Sequence, residues 1–497
     1  MIDNLWLGIT TAFSLDNLLY CFAGVLFGNL IGVLPGIGAL AAISMLLPMT
    51  YSLDPTGALM MLAGIFYGTS FGGATTSILL NLPGTESHAV VCVDGNPMAR
   101  QGRAGSALFI AMFASFTGVC LGILLMLFFS PILAKAALMF GPAAYFSLMM
   151  LGLLAASTLS AGSPLKGIAS VFLGLIFGVI GTDLNSGALR FTFDIPELQD
   201  GLSLLALAMG LFGVADVYAN AGVLGEGEFI TKKVTGRSIR PAKGEVRQSM
   251  GAITRGAVGG SFFGILPGTG GTIASFMSYA IEKKLSRTPE RFGEGAIEGV
   301  AGPEAANSSA AITAFIPTLT LGIPGSPVMA LMLGALMIHN IQPGPMMITS
   351  HPALFWGLLV SFWIGNLLLL ILNIPLIGMW VKLLSVPYRY IYPVVLLLIC
   401  IGVYSLNNDL FDVITVLGMG VLGYFLSALG FAPASVLLGF VLGPMVEENF
   451  RRALLVSRGN PMTFLEDPIS AVSMAFVALM LMLVAYGRLR PKKKKVA

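Results

Sequence analysis

The chain has 497 residues, 56% of them hydrophobic and only 10% charged. Soluble globular domains carry about 25% charged residues, so polar groups cannot cover this surface and lipid must cover much of it. A net charge of +3 gives no field that points to nucleic acid, and the scattered Cys21, Cys92, Cys120 and Cys400, without a C-x-x-C pair, read as small apolar fillers rather than metal ligands or disulfide partners.

The apolar runs are continuous rather than short and alternating, which favours helices over a closed barrel. The expected fold class is an all-α polytopic membrane protein of about ten to twelve transmembrane helices. The opening residues lack a basic n-region and a small-residue cleavage site, so Leu5 to Phe13 reads as a short interfacial helix rather than a signal peptide. A first span runs from Leu18 to Leu34 and ends at Pro35-Gly36. Ala39 to Leu47, followed by Pro48, is too short to cross a bilayer unaided; it is either a half-helix or continues beyond Pro48. Gly57 to Leu82 is the next span, interrupted by a polar, glycine-rich stretch from Tyr67 to Ser77. That stretch must face protein or a watery cavity, because freed backbone groups facing lipid would go unsatisfied. Glu86 to Arg103 reads as a hydrophilic loop with a turn at Asp94-Gly95-Asn96-Pro97. Spans follow near 105–129, 143–160, 167–181 and 201–218. Segment 219–250 holds Lys232, Lys233, Arg237, Arg240, Lys243 and Arg247 against three glutamates, which places it in the cytoplasm.

The pattern then restarts. A span from Ser249 to Leu266 meets Pro267-Gly268, and a short helix runs to Ala280. A polar segment from Glu282 to Glu304 leads into Ala305–Leu321, Pro324-Gly325 and Val328–Ile338. Further spans fall near 353–373, 376–386, 391–406, 411–430, 433–443 and 470–487, before a tail with Lys492 to Lys495 that is cytoplasmic by the same charge rule. The expected organisation is a first repeat half over 1–218, a cytoplasmic linker over 219–250, a second repeat core over 251–345, and C-terminal transmembrane helices with a basic tail over 346–497.

Two structural repeats containing broken or re-entrant helices carry the functional reading. Gly32-Val33-Leu34-Pro35-Gly36-Ile37-Gly38 recurs as Gly264-Ile265-Leu266-Pro267-Gly268-Thr269-Gly270, and Leu82-Pro83-Gly84-Thr85 recurs as Ile323-Pro324-Gly325-Ser326. Pro267 follows Pro35 by 232 positions and Pro324 follows Pro83 by 241. A helix interrupted at membrane depth exposes N–H groups that suit a carboxylate and carbonyls that suit Na⁺. The candidate substrate-binding residues are Pro35, Gly36 and Gly38 with Asn81, Pro83, Gly84 and Thr85 in the first copy. In the second they are Pro267, Gly268, Thr269, Gly270, Gly271 and Thr272 with Pro324, Gly325 and Ser326. Thr75, Thr76, Ser77 and Asn307 are the flanking polar candidates, although Ser and Thr in membrane helices often only bond the backbone. Na⁺ is the expected coupling ion, at carbonyls near Gly36, Gly84, Gly268 and Gly325. Arg255 reads as a snorkelling interfacial residue, with a substrate-carboxylate role as the alternative. His88 reads as a loop residue, and Glu298 and Glu304 as gate or docking residues. No P-loop, G-x-S-x-G or H-E-x-x-H is present, so an enzyme is not expected.

The segments Gly28 to Gly38, Tyr67 to Gly84, Asp94 to Gly105, and Glu298 through Asn307 to Ser326 resemble the TctA family, the large membrane subunit of tripartite tricarboxylate transporters. The resemblance covers nearly the whole chain. It implies a multi-pass protein of the bacterial inner membrane, a small TctB-like membrane partner, and a periplasmic TctC-like solute-binding protein. It also implies ion-driven uptake of citrate-like or other carboxylates. A passive carboxylate channel and a membrane scaffold subunit are the competing readings.

Overall fold

The computed structural model describes residues 2–34, 38–159, 163–183, 186–220, 239–266, 270–383 and 388–489. In chain order the helices are α1 (Ile2–Ala12), α2 (Leu15–Val33), α3 (Ala39–Thr50), α4 (Pro55–Leu80), α5 (Ala89–Met98), α6 (Ala104–Ala137), α7 (Pro142–Leu159) and α8 (Pro164–Gly178). Then come α9 (Leu204–Ala208), α10 (Ala215–Asn220), α11 (Glu245–Ile265), α12 (Gly270–Leu285), α13 (Glu298–Thr313), α14 (Phe315–Leu321), α15 (Pro327–Ile338) and α16 (Met347–Ser350). The last are α17 (Pro352–Leu383), α18 (Tyr388–Asn407), α19 (Leu410–Ala428), α20 (Pro433–Val456), α21 (Thr463–Glu466) and α22 (Pro468–Leu489). A two-stranded antiparallel hairpin pairs β1 (Gly181–Thr182) with β2 (Leu189–Arg190). Among the described residues six helices are long and apolar enough to cross a membrane, and six shorter apolar helices accompany them.

The chain forms two compact units, Met1–Lys135 with Ser203–Tyr424, and Ala136–Leu202 with Phe425–Ala497. The first holds the duplicated core. Gly24, Gly28 and Gly32 on α2 lie against the backbones of Met61, Ile65 and Thr69 on α4. Gly256, Gly260 and Gly264 on α11 lie in the same way against Gly302, Ala306 and Ala310 on α13. The second set follows the first by 232 positions on one helix and 241 on the other, the same two offsets that separate the breaks. Small residues every fourth position let membrane helices approach backbone to backbone. In both copies the contacts advance together along the two helices, so α2 runs parallel to α4 and α11 to α13. Two consecutive parallel helices require a returning segment between them. At 1.5 Å per residue, the 12-residue α3 and 16-residue α12 are shorter than the roughly 30 Å hydrocarbon core, and they are those return arms.

Across the copies the order opposes. Phe66 on α4 faces Phe315, with ring centroids 6.3 Å apart, while Ser70, further along α4, bonds the earlier Asn307. Stepping forward on α4 means stepping back through the equivalent α13–α14 segment, as in inverted repeats.

In the second unit α8 and α20 pack through Gly174 against Val436 and Gly439 against Val171. Phe146, Phe450 and Phe464 close its small aromatic core. Arg190 on the hairpin donates to Glu447 at 2.8 and 3.0 Å, and Arg451 to Asp183 at 3.1 Å, tying β1–β2 to α20.

Several local expectations are corrected. Gly57–Leu82 is not interrupted, since α4 continues through Tyr67–Ser77; its glycines and hydroxyls meet protein, where tertiary packing overrides weak helix propensity. Glu86–Arg103 is not a loop but a 3-10 turn, α5 and a π turn containing Gly102 at φ 84°. Asp94 and Asn96 are drawn inside because they find partners there, while Glu86, Arg100 and Gln101 stay exposed. The polar segment before the second break is helical from Glu298 onward. The spans at 353–373 and 376–386 are one helix, α17, running through Pro375. Of the two alternatives for Ala39–Leu47, continuation beyond Pro48 holds, with α3 reaching Thr50. Most of the basic 219–250 segment, including Lys232, Lys233 and Arg237, lies outside the described residues.

Candidate functional site

The helix end that leads into the first break has one geometry in both copies. α2 ends at Leu34 (φ −80°, ψ 116°), whose N–H donates to the Ile31 carbonyl at 2.9 Å. α11 ends at Leu266 (φ −79°, ψ 126°), whose N–H donates to Phe263 at 3.1 Å. A residue before proline is pushed out of the helical region into extended backbone, so Leu-Pro stops the helix at the same point twice. Pro35, Gly36, Pro267, Gly268 and Thr269, and the proposed Na⁺ positions near Gly36 and Gly268, lie outside the described residues. Past them, Gly38 is extended (φ −72°, ψ 173°), and Gly270 stands at φ 56°.

The second break uses one device with different residues. α4 is stopped by Asn81 at φ 58° and α14 by Gly322 at φ 70°, both left-handed residues of the kind that end helices. Proline follows two residues later, then glycine, then a hydroxyl residue that precedes the next helix. Ser326 caps α15 by accepting from the Met329 N–H at 3.3 Å. Gly84 is needed for close approach, because a Cβ there would collide with the Gly73 backbone. At the equivalent position Gly325 lies near Ala314 and the Gly264 carbonyl. Asn81 and Pro83 are exposed while Pro324 and Gly325 are buried.

The polar candidates divide by partner. Thr76 Oγ1 donates to the Val33 carbonyl at 3.1 Å, with Gly32 at 3.4 Å, and so ties α4 to the end of α2 at the first break. Ser77 Oγ donates to Gly73 at 2.9 Å and accepts from the Gly84 N–H at 3.4 Å, fixing the second break. Thr75 is fully buried, and its hydroxyl has no hydrogen-bond partner among the described residues. Asn307 Nδ2 donates to Ser70 Oγ at 3.0 Å, and its Oδ1 occupies the space a Gly271 Cβ would need. Asn307 thus brings together α13, the α12 start and α4 of the other copy. Gly270 faces Ser326, which joins the two breaks of the second copy, and Thr272 lies half-buried in the first turn of α12.

Sequence reasoning missed the most enclosed ionisable groups. His88 and Glu304 are both fully buried, with His88 Nε2 3.6 Å from Glu304 Oε1. Ser115 Oγ donates to Glu304 Oε2 at 3.0 Å, and His88 Nδ1 is 2.6 Å from Thr85 Oγ1. The signal available was the position of His88, three residues after the second break. Asp94, read as a turn former, is fully buried and accepts three backbone N–H bonds, from Gly293 and Gly295 at 2.9 Å and Ala296 at 2.8 Å, plus the Tyr279 hydroxyl at 2.9 Å. Arg255 holds Glu282 in a two-pronged pair at 2.8 and 2.6 Å, so its guanidinium is already engaged. Two cavities lie away from the breaks, one between α11 and α12 beside this pair and one beside Asp54, His339 and His351.

Six helices long and apolar enough to cross a membrane, together with two glycine-packed copies whose helices stop at equivalent positions, define an all-α polytopic membrane protein with a duplicated broken-helix core. The model of the tripartite tricarboxylate transporter TctA family matches residues 18–438. The chain belongs to that family and is a subunit of a tripartite transporter. It is 49% identical over 496 residues to an uncharacterized 52.8 kDa protein in the TAR-I ttuC' 3'region of Agrobacterium vitis, covering 100% of this chain and 98% of the relative. A second relative, an uncharacterized protein in the TAR-II ttuC' 3'region of the same organism, is 54% identical over 237 residues, 48% of this chain and 98% of the relative. No solved structure matches the chain.

Proposed function

We propose that this chain is the large transmembrane subunit of a binding-protein-dependent secondary transporter that imports tricarboxylates or other carboxylates in symport with a cation, Na⁺ in this reading. The observation that supports it best is the repetition of both helix breaks, with matching backbone geometry at Leu34 and Leu266 and matching left-handed stops at Asn81 and Gly322. Freed N–H groups at such breaks attract an anion and freed carbonyls a hard cation. The carboxylates are assigned to the break N–H groups and to Asn307, and the cation to carbonyls near Gly36, Gly84, Gly268 and Gly325. The opposed order of contacts between the copies fits alternating access by two inverted repeats.

The partners in this reading are a small TctB-like membrane subunit and a periplasmic TctC-like solute-binding protein, in a bacterial inner membrane. Uptake of labelled citrate by vesicles containing the three subunits, with and without an inward Na⁺ gradient, tests the proposal. Gradient-driven, saturable uptake with counterflow is expected. Flux that neither saturates nor shows counterflow would instead indicate a channel.

A further inference from the structure

The Glu304–His88–Thr85 chain lies beside the second break of the first copy. We infer that His88 and Glu304 form a proton-binding pair whose charge state is linked to carboxylate occupancy of the Pro83–Thr85 break. The inference rests on the carboxylate-transport reading for its substrate and on geometry for its site.

Both side chains have no exposed surface, yet His88 Nε2 and Glu304 Oε1 have no hydrogen-bond partner among the described residues and face each other at 3.6 Å. That separation exceeds a normal N–H···O bond but is well within strong electrostatic reach at low dielectric. The pair links the two copies, with Glu304 on α13 and His88 beside the second break of the first copy. His88 reaches that break directly through Thr85 Oγ1 at 2.6 Å.

The neighbouring ionisable groups are already engaged or remote. Asp94 on α5 is held by three backbone N–H groups and Tyr279 of α12. Glu282 on α12 is held by Arg255, and Glu298 on α13 accepts from Gln248 of α11. Glu86, in the same turn as His88, is exposed. Cys92 on α5 lies within electrostatic reach of Glu304, and α6 contributes the neutral Ser115.

The pair therefore carries its own charge balance. With no titratable proton it is −1, with one it is neutral, and with two it is +1. An uncompensated buried charge is costly, so the singly protonated pair is the resting state. A carboxylate at the adjacent break then favours uptake of a further proton, onto whichever of the two groups is still basic. Lower external pH should promote loading, and the pair adds a proton to the ion stoichiometry. Among the described residues the second copy carries no such pair at its break, where Ser326 instead caps α15.

The test uses the purified full-length chain and then the complete transporter. Infrared titration of wild type should show a buried-carboxyl C=O band that changes with pH, is absent from Glu304→Gln and has a shifted midpoint in His88→Gln. A Glu304→Gln titration that superimposes on wild type overturns the site. If Glu304→Gln does not elute as a folded species, His88→Gln decides, and an unmoved midpoint overturns the pairing. In vesicles holding the three subunits, the ratio of labelled citrate uptake with and without an inward proton gradient should exceed one in wild type and fall to one in Glu304→Gln. An undiminished ratio in the variant overturns the coupling. A wild type that takes up no citrate under any gradient counts against the transport reading, while the infrared titration still decides the proton site.

Discussion

At the scale of single residues, neighbouring hydroxyls on α4 have different physical roles, and substitution should separate them. Thr76→Val removes a buried bond to the Val33 carbonyl and should cost about 1 kcal/mol, read as a lower melting temperature of the detergent-solubilised protein. Thr75→Val removes a buried hydroxyl with no partner among the described residues and should leave stability unchanged or slightly improved; a fall in citrate uptake with intact stability would assign Thr75 to the substrate. Asn307→Ala is expected to reduce uptake by more than tenfold while costing no more than a buried hydrogen bond, about 1 kcal/mol. Unaltered uptake in that variant would favour the scaffold reading. Asp94→Ala strands three backbone donors, two buried and one part-buried, at about 1–3 kcal/mol for each buried one, and should prevent accumulation of folded protein. Thr75, Thr76 and Asn307 were legible as polar candidates, but their partners were not, and Asp94 was read only as a turn former. Asp-Gly-Asn-Pro has turn chemistry, and only the distant Gly293–Ala296 backbone turns Asp94 into an internal anchor.

At the scale of helices, the glycines of α2 and α11 set the distance between paired backbones. Gly28→Val and Gly260→Val each place side-chain atoms against a partner backbone, Ile65 in one copy and Ala306 in the other. Each should destabilise by about 1–3 kcal/mol or more, and parallel losses in thermal stability would show that the two copies are mechanically equivalent. The four-residue glycine spacing was present in the sequence, but its partner helix was not, because a small-residue stripe does not say what it packs against. Pro375 inside α17 and Pro48 inside α3 show the converse. A proline predicts a boundary locally, yet a long apolar helix packed on its neighbours carries through it. The continuity of α4 has the same origin, since burial of Tyr67–Ser77 against α2 outweighs the helix-weakening effect of Gly72 and Gly73.

At the scale of the whole molecule, the charge rule leads to the expectation that the Lys492–Lys495 tail is cytoplasmic. A cysteine introduced at Ala497 should therefore react with an impermeant maleimide only after cells are opened; labelling in intact cells would reverse the assigned orientation. The sequence by itself determined the membrane class, because a chain with 10% charged residues has no other way to hide its apolar surface. It also determined the duplication, because Pro-Gly breaks at membrane depth are tolerated only where protein or a cavity satisfies the freed backbone, so their recurrence at fixed offsets is constrained. Tertiary structure alone decided the rest. It set the parallel run of paired helices, the opposed order between copies, and the meeting of Asn307 with Ser70 and of Glu304 with His88. The parallel pairing rests on contacts 37 and 46 positions apart, and the rest on contacts across more than 200 positions, which no local pattern encodes. The Pro-Gly breaks were therefore readable as interruptions from residue types, whereas the buried acid–base pair beside one of them emerged only when two distant helices were packed together.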